Sequence, residues 1–164
     1  MTLYSPAHIT AIPDTVDYLI SLFQTTCPYD SNNEPIRVWF GVQLGVWQAP
    51  TTIEINKIQP IMREWAELGP TYRVEEHFSV WCKITVFSGE GMGGTPDFQA
   101  SKNSVFSVWG ALEKAVANDP TLGGNVRVCR FDDVNYEPTT DAAGRAAGMI
   151  TWAITCEARV TTLS

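Results

Sequence analysis

The sequence predicts an α+β domain, in which a mixed, mainly antiparallel β-sheet carries two principal helices packed on one face. Several long stretches alternate apolar and polar residues with a period of two, which is typical of strands with one buried face. Two other stretches repeat apolar residues at helical spacing. Because strands and helices alternate along the chain without a regular βαβ order, helices gathered on one face of the sheet are the favoured arrangement.

Size and composition indicate one domain spanning residues 1–164. Hydrophobic residues make up 45% and charged residues 18%, which excludes a disordered chain. The net charge of −7 argues against broad binding to nucleic acid or to anionic membranes, because both need clustered positive charge. With six Trp, seven Phe and five Tyr and so few charges, we expect part of the surface to be covered by partners.

Period-two alternation predicts the strands. It is clearest over 72–87, where the even-numbered residues are apolar apart from Glu76, and over 150–161 near the end of the chain. Weaker patterns predict three further strands: 36–42, 52–58 and 126–131. In the last of them an apolar residue changes face near Cys129, which indicates either a bulge or a strand covered on both sides.

Two amphipathic segments predict the helices. The first follows Pro13, a residue favoured in the first turn, and places Val16, Leu19, Ile20 and Phe23 on one stripe. The second covers 104–118 and ends at Asp119-Pro120. A shorter helical turn is predicted over 61–68, closed by Gly69-Pro70.

Three segments rich in Gly, Pro, Asn and small residues predict long exposed connections: 26–35, 88–96 and 137–148. The second contains four glycines, yet it lacks the Gly-Lys-Ser/Thr ending of a phosphate-binding loop. A flexible connection is therefore the favoured interpretation of that segment.

Catalytic and metal-binding patterns are not found in the sequence. There is no Gly-x-Ser-x-Gly turn, and neither His8 nor His77 has ligand spacing to a cysteine. The four cysteines form no C-x-x-C pair, and three of them lie in strand-like runs where cysteine acts as a small buried hydrophobe. We therefore predict no catalytic residue, no metal and no cofactor, and reduced structural thiols in a cytosolic protein.

Glu76 is the one carboxylate on an otherwise apolar strand face. A buried carboxylate needs a partner or a raised pKa. The favoured interpretation is a structural pairing with an arginine, and a catalytic carboxylate is the alternative.

Five residues are candidates for a subunit or partner interface. Period two places Trp39 and Trp81 on the nominally polar strand faces, and Trp47 lies in a loop-like stretch. Aromatic residues are enriched in interfaces, and long loops tend to carry functional contacts, which adds Met92 and Arg145. The alternative is that a second layer of the same domain covers the tryptophans.

The order of short motifs along most of the chain resembles the tail terminator proteins, the minor tail proteins of the neck, of long-tailed bacteriophages. The resemblance rests on Tyr18-Leu19 in the first helix and on a series of later segments: VWFG (38–41), WAELG (65–69), RVEEHFSV (73–80), SG (88–89), AVANDPTLGG (115–124) and ITCEAR (154–159).

That resemblance implies a structural virion protein and not an enzyme. Such a subunit forms a ring, typically a hexamer, that caps the tail tube, ends its polymerisation and offers a surface for head–tail joining. The implied partners are further copies of the chain, the tail tube protein and a head-completion protein, with DNA passing through the ring without sequence-specific binding and with no membrane involved. The implied location is the tail–neck junction of the virion, after assembly in the host cytoplasm.

A different class of function remains open at this point. A helix cupped by a curved sheet could form an apolar pocket around Trp109, Trp152 and Glu76, which would suit a small-molecule-binding or enzymatic domain.

Overall fold

Five strands and two helices build the fold in a computed structural model, which describes residues 10–41, 50–68, 71–87, 97–140 and 144–163. In chain order the elements are α1 (Ile12–Thr26), β1 (Arg37–Phe40), β2 (Thr51–Leu68), β3 (Thr71–Phe87), α2 (Phe98–Asn118), β4 (Val128–Thr140) and β5 (Ala146–Leu163). The strands form one sheet in the order β1-β2-β3-β5-β4, parallel only between β1 and β2. The predicted α+β class is confirmed.

The core lies between the helices and one face of the sheet. The even-numbered residues of β3 are buried from Val74 to Val86, as the alternation predicted, and β5 continues the same face with Ile150 and Ile154. Trp152 lies at the centre without exposed surface, 6.3 Å from the ring of Phe23 and 5.6 Å from that of Phe131. Neither described helix is long and apolar enough to cross a membrane.

Both helices bury the stripes that the sequence predicted. In α1, Pro13 lies in the first turn, and Val16, Leu19 and Phe23 face the sheet. The helix α2 begins at Phe98, earlier than the predicted residue 104, because the Asp97 side chain accepts a hydrogen bond from the Ala100 amide at 2.9 Å and caps an additional, mostly polar turn.

The strand β2 corrects two predictions. The helical turn predicted over 61–68 is wrong, and the short strand predicted over 52–58 is the first part of an 18-residue strand. β2 pairs with β3 from Thr51 opposite Val86 to Leu68 opposite Thr71, and this cross-strand pairing overrides local propensity. Register shifts next to Ile55 and Pro60 break the period-two pattern, which explains why the alternation was lost in the sequence.

The second hairpin corrects two further predictions. The predicted loop over 137–148 is wrong, because β4 continues to Thr140 and pairs there with Ala146, the first residue of β5. The bulge lies between Asp132 and Asn135 and not near Cys129, which is regularly paired with Cys156. The strand predicted over 126–131 therefore begins later and runs much longer.

Among the other predictions, the exposed connection over 26–35 is confirmed beyond the buried Cys27, and the strand predicted over 36–42 is confirmed for Arg37–Phe40. The predicted connection 88–96 lies outside the described residues.

Substituting Gly148 by alanine should weaken the docking of α2 on the sheet by about 1–3 kcal/mol, the usual cost of overpacking. A Cβ atom at Gly148 would lie 2.8 Å from the backbone oxygen of Ser101 and 3.0 Å from Val105 Cγ1, so helix and strand would have to separate. Gly110→Ala is the matched control, since a Cβ there meets nothing within 4 Å and alanine favours a helix by roughly 0.5–1 kcal/mol. Urea unfolding of both variants should give changes of opposite sign, and equal effects would contradict this packing.

The turn after α2 is held to α1 by an ionisable pair. The Tyr18 hydroxyl donates to Asp119 Oδ2 at 2.6 Å, and the Gly123 amide donates to the same oxygen at 2.8 Å. Hydrogen bonds from Tyr18, Thr121 and Gly123 hold the pKa of Asp119 below its usual value, and the Asp119 hydrogen bond raises the pKa of Tyr18.

Tyr18→Phe should therefore reduce stability mainly at intermediate pH. The lowered pKa of Asp119 contributes stability above the unfolded value of about 4, and this contribution is lost as the pH falls through the folded pKa. The raised pKa of Tyr18 contributes below about pH 10 and is lost above it. We expect the unfolding midpoints of Tyr18→Phe and the parent protein to converge at both extremes, whereas a constant difference at every pH would contradict the pair.

Candidate interaction surface

One face of the sheet carries both helices, and the other has no helix over it among the described residues. The uncovered face presents the odd-numbered residues of β3 with their neighbours on β2, β5 and β4. The alternation predicted a mostly polar, wet face here, but Ser79 and Thr85 are buried and the remaining odd-numbered residues from Arg73 to Phe87 are half-buried.

A row of polar and aromatic side chains crosses the first half of this face. Register places Trp39 beside Glu54, and Glu54 beside Lys83. The Glu54 side chain is only 1% exposed, and the Lys83 ammonium lies 2.5 Å from Glu54 Oε2. The pair is therefore buried at the Glu54 carboxylate, whereas the Lys83 side chain is 22% exposed.

The next row is centred on Trp81. The Lys57 ammonium lies 6.0 Å from the centre of the Trp81 ring, within the range of a cation–π contact, and the fully buried Ala153 follows on β5. Trp81 Nε1 is buried and finds no acceptor among the described residues. Both tryptophans thus lie on the uncovered face, as the alternation predicted, in half-buried positions.

The far end of this face carries a charge cluster that the sequence did not predict. The Glu75 carboxylate accepts hydrogen bonds from Arg73 Nε at 2.9 Å and from Arg159 Nε at 2.7 Å. A nitrogen of Arg127 lies 3.8 Å from its other oxygen. Desolvation alone would raise the pKa of Glu75, but the hydrogen bonds from Arg159 and Arg73 outweigh it and lower the pKa. The cluster joins β3 to β5 and to Arg127, the residue just before β4.

The remaining interface candidates are only partly placed. Arg145 is exposed just before β5, and its guanidinium lies 5.6 Å from the centre of the Phe87 ring. It therefore borders the uncovered face at the end opposite Glu75. Trp47 and Met92 lie outside the described residues.

The structural pairing of Glu76 with an arginine is confirmed. Its side chain is 5% exposed, and Arg63 Nε lies 3.2 Å from Oε1. The other oxygen, Oε2, accepts hydrogen bonds from the Ala11 amide at 2.8 Å and the Thr10 hydroxyl at 3.1 Å. The carboxylate thus ties the start of α1 to the β2–β3 hairpin, and both of its oxygens are engaged.

The four cysteines are free and buried, as expected of structural thiols. Burial raises the pKa of the Cys82 thiol, which disfavours the reactive thiolate. No group of three or more His, Cys, Asp or Glu in the described ranges is arranged to hold a metal ion. His8 lies outside those ranges.

The tryptophans that the alternative interpretation places around an apolar pocket pack against other side chains of the described core. Trp152 has no exposed surface, and Trp109 packs on Phe131 with ring centres 5.9 Å apart. A shallow groove of about 450 Å³ lies elsewhere, lined by Phe98, Pro138, Thr139 and Thr140, which bring no charged group to it.

Exposed apolar residues on β2 and β4 were missed by the sequence analysis. On β2, Ile61 and Trp65 are 59% and 58% exposed, and on β4, Val134 is 46% exposed. The sequence analysis assigned residues 61–68 to a helical turn, and the strand that it predicted over 126–131 ended before Val134. Extending the alternation through one-residue bulges could have recovered both segments.

No protein-family model matches the chain, and no curated protein matches it.

Proposed function

We propose that this chain is a structural virion subunit that forms a ring, hexameric by the resemblance to tail terminators, at the end of a phage tail tube. The ring ends tube polymerisation and offers a surface for head–tail joining. Its partners are further copies of itself, the tail tube protein and a head-completion protein, and its place is the tail–neck junction after assembly in the host cytoplasm.

The observation that carries the proposal is the uncovered sheet face with Trp39 and Trp81 on it. Both helices lie on the opposite face, so the second layer that could have covered these tryptophans is not formed by the described elements. Half-buried aromatic side chains beside small residues are typical of surfaces that close against another protein. The exposed apolar residues on β2 and β4 support contacts on more than one side of the subunit.

The net negative charge of the chain supports a ring through which DNA passes without being bound. The chain carries 18 acidic against 11 basic residues. A ring of such subunits does not retain a passing phosphate backbone, because retention requires basic side chains that displace counterions. The arginines at Glu75 are partly neutralised by that carboxylate, so the cluster offers less positive charge than its three guanidinium groups suggest.

The mass of the protein in solution and negative-stain images test the ring. We expect ring-shaped particles whose mass is a multiple of the 18.1 kDa chain, either alone or after mixing with a tail tube protein. A protein that stays monomeric in both settings would contradict the proposal. If such a monomer also gained thermal stability from a particular metabolite, the small-molecule-binding alternative would replace it.

A further inference from the structure

We infer that Cys129 and Cys156 are an oxidation-sensitive pair, which hydrogen peroxide converts from two free thiols into a disulfide that links the outer strand β4 to β5. Both cysteines are free in the structure. Such a modification site belongs to the folded chain itself and does not depend on the proposed ring.

The register of the sheet places the two cysteines directly opposite each other. Cys129 on β4 pairs with Cys156 on β5, and opposite residues of an antiparallel pair point to the same face, which here is the buried one. The Cys129 amide donates to the Pro120 carbonyl oxygen at 2.8 Å, away from β5, so the two cysteines form a non-hydrogen-bonded pair. The Cα atoms of such a pair are about 4.5 Å apart, a distance that a disulfide can span. The backbone therefore allows the bond with little movement.

The other two cysteines are not placed to compete for this bond. Cys82 lies four residues along β3 from Phe78, the residue opposite Cys156. Four residues of a strand span about 13 Å, whereas cysteines with Cα atoms more than about 7 Å apart cannot be bridged. Cys27 follows α1 and is not part of the sheet. Burial also raises the pKa of the Cys82 and Cys27 thiols, which disfavours their thiolates.

The two thiols of the pair differ in ways that assign their roles. Cys129 is 6% exposed, whereas Cys156 has no exposed surface. In the neutral pair the Cys156 thiol donates to the Ile154 carbonyl oxygen at 3.7 Å. When Cys129 is ionised, the hydrogen bond from Cys156 lowers the pKa of Cys129 and outweighs burial and the Asp119 carboxylate, which raise it, while the same bond raises the pKa of Cys156. Cys129 is therefore the thiol that reacts first, and Cys156 is the one that completes the disulfide.

The oxidation balances in two steps. The Cys129 thiolate attacks one oxygen of hydrogen peroxide, the O–O bond breaks, and a sulfenic acid forms while the departing hydroxide takes up the proton that Cys129 lost. The Cys156 sulfur then attacks the Cys129 sulfur, the S–O bond breaks, and the hydroxyl group leaves with the Cys156 proton as water. Together the two thiols lose two electrons and two protons, and the peroxide is reduced to two molecules of water.

The disulfide closes residues 129–156 into a loop and restrains the outer strand. β4 lies at the end of the sheet order and pairs there with β5. Because a cross-link limits the freedom of the unfolded chain, the oxidised form should unfold at a higher urea concentration than the reduced form. In a subunit that folds in the host cytoplasm and leaves in a virion, the pair stays reduced during assembly and is oxidised after release. Only this timing rests on the proposed function.

Peptide mapping after treatment of the folded chain with hydrogen peroxide tests the pair. Trypsin cuts after arginine, which places the two cysteines on separate peptides, 128–130 and 146–159. After alkylation and digestion, mass spectrometry should show these peptides joined and about 2 Da lighter than their sum, because two hydrogens are lost. Dithiothreitol should separate them and return the urea midpoint to that of the reduced chain. In concentrated urea, which removes the register, the same oxidant should also link other pairs of the four cysteines.

Three alanine variants test the assigned roles. Cys156→Ala should leave Cys129 as a sulfenic acid that dimedone traps, and Cys129→Ala should leave Cys156 unreacted. Cys82→Ala is the matched control, since it removes a buried cysteine from the same face of the sheet and should still give the joined peptides. Circular dichroism shows which variants are folded, and the peptide map of the parent chain decides the question even where a variant is not.

The disulfide would be excluded by a folded parent chain in which peroxide leaves both thiols intact, oxidises them without joining the two peptides, or links Cys82 or Cys27 instead. A joined form whose urea midpoint is not raised would contradict the restraint on β4. Reaction of Cys156 in folded Cys129→Ala as fast as in the parent chain would overturn the assigned roles. If the disulfide forms but tube ends are never capped, the proposed function fails and the thiol pair stands.

Discussion

Replacing Lys83 by methionine should lower the free energy of unfolding by about 3–5 kcal/mol, as is usual when one partner of a buried charge pair is removed. Glu54 is 1% exposed, so its carboxylate would stay buried without the ammonium that lies 2.5 Å away. Because methionine keeps most of the side-chain volume of lysine, the decrease in the free energy of unfolding is caused mainly by the lost charge and only slightly by changed packing. Urea unfolding measures the effect.

Two further variants separate this effect from a general cost of losing lysine. Lys57→Met removes an exposed lysine that lies over Trp81, and it should cost less than about 1 kcal/mol. The double variant Glu54→Leu/Lys83→Met removes both charges and should be more stable than Lys83→Met alone, since an apolar pair can replace a buried ion pair. A double variant that is less stable than the single would contradict the account.

Glu76→Ala should cost about 2–4 kcal/mol of unfolding free energy, and Glu76→Gln a smaller part of it. Alanine leaves the buried Ala11 amide without its acceptor and removes the partner of Arg63. Glutamine keeps an oxygen for the Ala11 amide but loses the charge. Because Ala11 precedes α1, the loss should appear first as faster hydrogen exchange in that helix.

Glu64→Gln is the matched control, since Glu64 lies next to Arg63 on β2 and its side chain is exposed. It should change stability by less than about 0.5 kcal/mol. Equal losses in Glu64→Gln and Glu76→Ala would mean that net charge and not the Glu76 contacts governs stability.

The alternation over β3 and the stripes of both helices were sufficient to predict the class of fold and the face that forms the core. They succeeded because period and burial are local properties, readable without knowing the neighbouring strand. The β2 strand was misassigned because its bulges shift the phase of the pattern at Ile55 and Pro60, so that no window of the sequence shows one continuous strand. Only pairing with β3 over its full length makes it one.

The surface was predictable only in part, for the same reason. The period-two alternation of each strand was enough to place Trp39 and Trp81 on the uncovered face. The Glu54–Lys83 pair and the arginines around Glu75 depend on register between strands far apart in sequence, which a single strand does not encode. The exposed Val134 lies in the bulge between Asp132 and Asn135, beyond the end of the strand that the sequence predicted over 126–131.

Electron microscopy of tail tubes assembled with and without this protein tests the central claim most directly. Tube protein alone should polymerise to long tubes of variable length, and adding this chain should shorten them and leave a ring of its copies at one end of each tube. Ring density at tube ends, with tube length falling as the proportion of this chain rises, is the predicted result. Tubes of unchanged length with bare ends, in the presence of folded protein at equal concentration, would contradict the account.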